Sequence, residues 1–180
     1  MIVNDGIEDR IGVAGSQQCA NTVSVGSLPW VTLGVGQFDV WQRNFAYGVT
    51  PAFADDQTVG PSPPAPATCF SPLSRLPPPP PGVSFELCSA GTFNICAVSP
   101  PAATCLAGTS VAQVPTVVIS YGKNGGLPAT TPDELENQGG DAVAVDKAYS
   151  SNPAQPFDDL VEFISANELM YIMLAGGVFR

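Results

Sequence analysis

Residues 41–49, WQRNFAYGV, alternate Trp41, Arg43, Phe45, Tyr47 and Val49 with Gln42, Asn44, Ala46 and Gly48. That is the period of two by which a β-strand presents one face to a core. It predicts a strand with an aromatic face, each ring removing roughly 150–250 Å² from water. Arg43 shares that parity, so the pattern also predicts an acidic partner for it, with Asp39 and Asp55 as candidates. The strand sits in a longer apolar and aromatic stretch, 28–53, with turn residues at Gly34, Gly36 and Asp39. Further on, 83–88 (VSFELC) and 92–98 (TFNICAV) predict two short strands around Ser89-Ala90-Gly91, a hairpin by its loop length. Residues 114–121 (VPTVVISY) form a near-continuous β-branched run and predict a central strand. It ends in the turn GKNGG.

The last third is less regular. Residues 127–151 are polar and rich in Gly, Asn and Asp, which predicts irregular structure. FDDLVEFI (157–164) predicts a last strand, and ANELMYIMLA (166–175) a short helix with Ser165 or Asn167 as N-cap and Gly176 as its stop. The spacing of Leu169, Ile172 and Met173 on that helix reads as core packing. Near the start, NDGIED (4–9) reads as a solvated Asp-Gly turn. Residues 60–81 hold PSPPAPA and LPPPPPG, where proline removes backbone donors and fixes φ. Neither helix nor interior strand fits, and an exposed polyproline-type loop at about 60–82 is expected. Taken together, the pattern predicts one α+β, β-rich domain over 1–180, with long loops and little helix.

Charge narrows the partners. The 180 residues carry 6 basic against 16 acidic side chains, a net charge of −10. The cations are scattered as Arg10, Arg43, Arg75, Lys123, Lys147 and Arg180. Phosphate binding needs clustered Lys and Arg, so no nucleic-acid partner is expected. The chain has no histidine, which removes the commonest general base and the usual Ser-His-Asp and Cys-His hydrolase arrangements. An enzyme would need a Ser-Lys or carboxylate pair, and Lys123 and Lys147 have no catalytic motif around them. A non-enzymatic role follows as the expectation. Neither a membrane-spanning run nor a signal peptide is read from the sequence, so that, if the protein is exported, its exporting segment is expected to have been removed.

Cysteines stand at 19, 69, 88, 96 and 105 without a C-x-x-C, which favours disulfides over a zinc or redox site. Cys88 with Cys96, or Cys69 with Cys105, are the expected pairs, among several connectivities that spacing cannot choose between. The odd count leaves one over, and Cys19 is the expected one.

Four segments in order resemble a known family: LPWVTLGV (28–35), DVWQRNFAYGVTPAFAD (39–55), VPTVVISYGKNG (114–125) and FDDLVEFISANELMYIMLAGG (157–177). They are similar to the periplasmic part of type IV pilin-like proteins and type II secretion pseudopilins, the prepilin-type cleavage and methylation family. Asp39, Trp41 and Tyr47 match a D-x-W-G-x-x-x-x-Y element of that family, with Trp30 in the preceding Pro-Trp turn and Arg43 inside the element. Gln42 departs from the family glycine, so a different turn is expected there. The resemblance implies a pilin-like antiparallel sheet with a short C-terminal helix, and an N-terminal spine helix that is expected to have been truncated here. It implies a full-length protein of the bacterial inner membrane facing the periplasm, or of an extracellular filament, touching the membrane only through that helix.

Its partners would be other pilin or pseudopilin subunits and the assembly machinery. The function implied is that of a minor pilin or pseudopilin acting by assembly. The alternative is a filament-tip adhesin or recognition module that binds a surface or protein. Some major pseudopilins hold calcium in a C-terminal loop, which makes Asp133, Glu134, Glu136, Asp141 and Asp146 calcium candidates here, with Asp158 and Asp159 following. Solvated loop acids are the simpler expectation, and no other cofactor is expected.

Overall fold

The fold was analysed in a computed structural model that describes residues 5–7, 10–11, 18–19, 24–50, 53, 91–99, 105, 110–129 and 131–176. Nine strands and three helices follow one another in this part of the chain: β1 (Arg10–Ile11), β2 (Gln18–Cys19), β3 (Ser24–Ser27), α1 (Trp30–Leu33), β4 (Ala46–Val49), β5 (Phe93–Cys96), β6 (Ser110–Val114), β7 (Thr116–Ser120), α2 (Pro132–Gln138), β8 (Val143–Val145), β9 (Leu160–Ile164) and α3 (Ala166–Ala175). The class is α+β and β-rich, as the pattern predicts. β1 and β2 pair with each other, β3-β4-β7-β9 form an antiparallel sheet of four, and β6-β5-β8 form a mixed sheet of three.

The core lies between the two larger sheets. Ala46, Val117, Ile119 and Val161 of the four-stranded sheet meet Phe93, Ile95, Val114 and Ala144. These residues obey the alternation rule, since Ala46 is in register with Ile119 and Ile119 with Val161. Gly48 belongs to the same face, and a Cβ there would lie 2.6 Å from Phe93 Cζ, so only glycine lets the aromatic ring seat against the strand. α2 covers the outer face of the three-stranded sheet: Asn137 accepts from Val145 N at 2.7 Å and donates to Val145 O at 3.1 Å, and Val143 and Val145 are buried beneath it.

The aromatic strand expected over 41–49 is corrected in length and in face. Pairing begins only at Ala46, and the core side is Ala46 and Gly48 rather than Trp41, Phe45 and Tyr47. Trp41 is exposed, and Phe45 and Tyr47 are half-buried. Residues 39–44 form a turn around Asp39 instead. Small residues face inward because Phe93 from the opposite sheet fills the space that their side chains leave.

The run 114–121 is also divided. Pro115 has no N–H to continue a ladder, and the chain crosses there from the small sheet to the large one. On β6 one extra residue opposes β5, with Phe93 facing Val114 and Ile95 facing Val111, and Gln113 takes φ 62 within that irregularity. Thr50 joins the sheets at this end: its N–H donates to Pro115 O at 2.8 Å and its hydroxyl accepts from Thr92 N at 2.9 Å. The remainder, β7, is the central strand expected, flanked by β4 and β9.

The expectation of irregular structure over 127–151 is overturned by α2 and β8. Thr131 caps α2 by accepting from Glu134 N, Pro132 occupies the first turn, and Asp133 and Glu134 place negative charge at the helix start. The expected last strand begins at Leu160, while Phe157 forms a separate bridge to Ser150 and is fully buried. α3 has the expected bounds, with Ser165 as N-cap accepting from Glu168 N and Gly176 at its end. Its expected packing stripe is not seen. Met170 is its buried residue, Leu169 and Met173 are half-buried, and Ile172 is exposed.

Asp5 accepts from Ile7 N at 2.9 Å, in keeping with the turn expected near the start. The proline-rich loop, the 83–88 strand, Cys69, Cys88 and Asp55 lie outside the described residues, as does the side chain of Cys19. Cys96 is bonded to Cys105 with their Cα atoms 5.3 Å apart, which replaces the expected Cys88–Cys96 and Cys69–Cys105 pairs.

Candidate functional site

Two constellations carry the polar chemistry of the described residues. The first is built on the motif residues. Asp39 is buried and its Oδ1 accepts from the backbone N–H groups of Trp41 (2.8 Å) and Arg43 (2.9 Å). Its Oδ2 accepts from Ser120 Oγ at 2.7 Å, which ties the turn to the central strand. Burial by itself would raise the Asp39 pKa. The Ser120 hydroxyl, the Arg43 and Trp41 amides and the Arg43 charge outweigh it, and the carboxyl titrates below its ordinary value. Gln42 holds φ 62, a left-handed conformation uncommon for a residue other than glycine.

Arg43 does not form the expected side-chain pair with Asp39. Its guanidinium donates to Lys123 O at 2.8 Å across to the turn after β7, and only its backbone amide reaches Asp39. Trp30 opens α1 half-buried, its ring against Gly6, while Val31 N and Thr32 N donate to Gly6 O at 2.9 and 3.2 Å. These residues shape loops and leave no reactive group exposed.

The second constellation gathers carboxylates. After β7 the chain turns through 122–126, with Gly122 at φ 60 where it passes the backbone of Asp158. The turn presents Lys123 N and Asn124 N to Asp158 Oδ2, at 2.9 and 3.2 Å. Asn124 Nδ2 donates to Glu134 Oε1 at 2.8 Å, and Asn137 Nδ2 to Asp159 Oδ2 at 2.9 Å. One oxygen from each of Glu134, Asp158 and Asp159 lies within 4.8 Å of the others. Glu134 Oε2, Asp158 Oδ1 and Asp159 Oδ1 are buried with no hydrogen-bond partner. Asp159 is pushed up to about 6, by burial first and then by the charges of Glu134 and Asp158, against the opposing Asn137 hydrogen bond. Tyr121 nearby is raised as well, by burial and by Asp159.

Of the five acids expected as calcium candidates, only Glu134 enters this convergence. Asp133 pairs with Lys147 and accepts from Ser99 N at 2.7 Å; burial raises its pKa, and these partners outweigh that and lower it. Lys147 Nζ also lies 4.7 Å from the centroid of the Phe157 ring. Glu136 accepts from Ser99 Oγ at 3.1 Å, Asp141 accepts from Val143 N at 2.8 Å, and Asp146 is exposed. The adjacent acids in FDD and the Thr-Pro-Asp-Glu helix start were readable signals for the two halves of the cluster. Nothing in the sequence says that the two halves meet.

A third feature is a surface. The four-stranded sheet turns one face to the core, and its other face carries Tyr47 beside Val118 and Glu162, and Val49 beside Thr116 and Ile164, with Leu160 near its edge. Val49, on this side, is buried. Leu160 is exposed, and Tyr47, Val118 and Ile164 are half-buried. On α3, Tyr171, Ile172 and Leu174 are exposed as well. No helix among the described residues is long and apolar enough to cross a membrane. Comparison with protein-family models, curated proteins and solved structures finds no match to this chain.

Proposed function

We propose that the chain is a non-enzymatic structural subunit of a bacterial envelope filament, a minor pilin or pseudopilin of a type IV pilus or type II secretion assembly, which acts by packing against other subunits. The observation that carries this reading is the second face of the four-stranded sheet. A sheet needs an apolar face covered, and here half-buried Val118 and Ile164 and exposed Leu160 lie on the face opposite the core of the described residues. The D-x-W element supports it further, because Asp39 and its amide partners fix loop shape rather than position a reactive group. The pilin-like architecture, the spine helix and the envelope location come from the resemblance of the four segments and belong to the same proposal.

Val118→Glu and Leu160→Glu, introduced into the full-length protein and expressed in a host with the matching filament system, test it. Loss of incorporation into sheared filaments, with the circular dichroism spectrum of the domain unchanged, is the expected result. Normal incorporation of both variants would overturn the reading of this face. The alternative of a tip module would appear as incorporation at the filament end only.

A further inference from the structure

We propose that the outer edge of β9 is a docking site for an extended segment of another protein, which adds to the four-stranded sheet as a further hydrogen-bonded strand and carries a Lys or Arg opposite Glu162 between apolar residues. The sheet runs β3-β4-β7-β9, so β9 is bonded on one side only among the described residues. It pairs with β7 in unbroken register, from Thr116 with Ile164 to Ser120 with Leu160. In a strand paired on one side, alternate residues turn their N–H and C=O groups away from the partner. Ser150 bridges Phe157 just before β9, and among the described residues nothing continues that pairing along 160–164.

The smaller sheet shows how this protein closes an edge. At β8, Asn137 takes the place of a neighbouring strand by accepting from Val145 N and donating to Val145 O, and Asp141 accepts from Val143 N. No described side chain does this at β9, and β9 also lacks proline, lysine and a bulge, which are other devices that blunt an edge. Open backbone groups in a row are matched by another extended backbone, so the occupant is a strand rather than a helix. The side chains then fix its chemistry. Leu160, Glu162 and Ile164 stand on the face away from the core, with Leu160 and Glu162 exposed, while Val161 and Phe163 lie on the core side. Apolar residues opposite Leu160 and Ile164 and a basic one opposite Glu162 complement this edge, because opposite charges across a pair are favourable and like charges are not. A second copy of β9, laid antiparallel about a two-fold axis at Glu162, would set two glutamates face to face in a chain of net charge −10. A basic partner is therefore selected over self-pairing. The site is the backbone edge of the sheet, and the inference goes beyond the filament reading of its face and does not depend on it.

The test is a titration of the isotopically labelled chain with the peptide acetyl-Ser-Val-Thr-Lys-Thr-Val-Ser-amide at pH 7, followed by amide NMR shifts and hydrogen exchange. Shift changes centred on 160–164, with slowed exchange of alternate amides there, are expected. Glu in place of Lys at the peptide centre is expected to weaken binding by roughly fivefold, and Glu162→Lys, made at an exposed side chain, is expected to reverse that order. Two further peptides, N-methylated on one or the other set of alternate residues, separate strand addition from apolar adhesion: the set that turns its N–H groups to β9 is expected to lose binding and the other to keep it. Absence of shift changes along 160–164 at millimolar peptide overturns the site. Equal binding of the two N-methylated forms overturns strand addition, and an unchanged peptide order in Glu162→Lys overturns the charge selection. Self-association of the chain through β9 that excludes the peptide overturns the choice of partner.

Discussion

Asp39 is the single residue whose loss the structure prices most clearly. Asp39→Ala removes the acceptor for two backbone amides and for the Ser120 hydroxyl, all within 2.9 Å in the native protein. Hydrogen bonds to a charged group contribute about 1.5–3 kcal/mol each, but the turn is at the surface and water reaches part of what is exposed. A net loss of about 3 kcal/mol is therefore expected, or a Tm lower by roughly 6–12 °C for a chain of this size. Asp39→Asn keeps the shape and one oxygen acceptor, and should cost about half as much. The pH dependence separates charge from shape. Because the folded pKa lies below the ordinary aspartate value of 3.8, the charged group contributes stability that is present above that value and lost as pH falls through the folded one. The difference in Tm between the parent and Asp39→Asn should thus be constant from pH 7 to about 5 and shrink below about 4. A melt of Asp39→Ala within 2 °C of the parent (about 0.5–1 kcal/mol), or a difference from Asp39→Asn that does not change with acid, would refute the reasoning.

Gln42→Gly should stabilise the protein by about 0.5–1 kcal/mol, because glycine relieves the left-handed strain at φ 62 and gives back part of that gain as unfolded-chain entropy; a lower Tm than the parent would contradict it. Gly48→Ala should destabilise by about 1–3 kcal/mol through the clash with Phe93, read as a lower urea midpoint at unchanged slope. Replacing Cys96 and Cys105 together by serine should cost roughly 2–3 kcal/mol, the entropy of a loop closed over a separation of 9 residues, and peptide mapping without reduction should find the Cys96–Cys105 link in the parent.

How far the fold was legible depended on whether the signal was local. α3 was read with its caps because Ser165, Glu168 and Gly176 interact only with their own helix. The turn 122–126 was read from glycine and asparagine for the same reason. The start of α2 carried an equally local sign, Thr131 followed by Pro132 and Glu134, and was missed because the polar composition around it outweighed a single cap. The 41–49 strand failed for a different cause. Its alternation is real, but Asp39 draws the chain into a turn through residue 44, and the inward face was settled by Phe93 from another sheet.

What the sequence by itself determined is the set of short-range choices: a β-rich chain, the central β-branched run and the C-terminal helix, in a chain of net charge −10 without histidine. Those follow from backbone propensity and charge, which act over a few residues. Only the tertiary structure decided which side of β4 faces inward, that Pro115 is the crossing between sheets, that Cys96 meets Cys105, and that Glu134 lies against Asp158 and Asp159. Each of these depends on two segments far apart in the chain competing for one space, and buried volume and desolvation, which settle that competition, are properties of the packed molecule and not of any local run of residues.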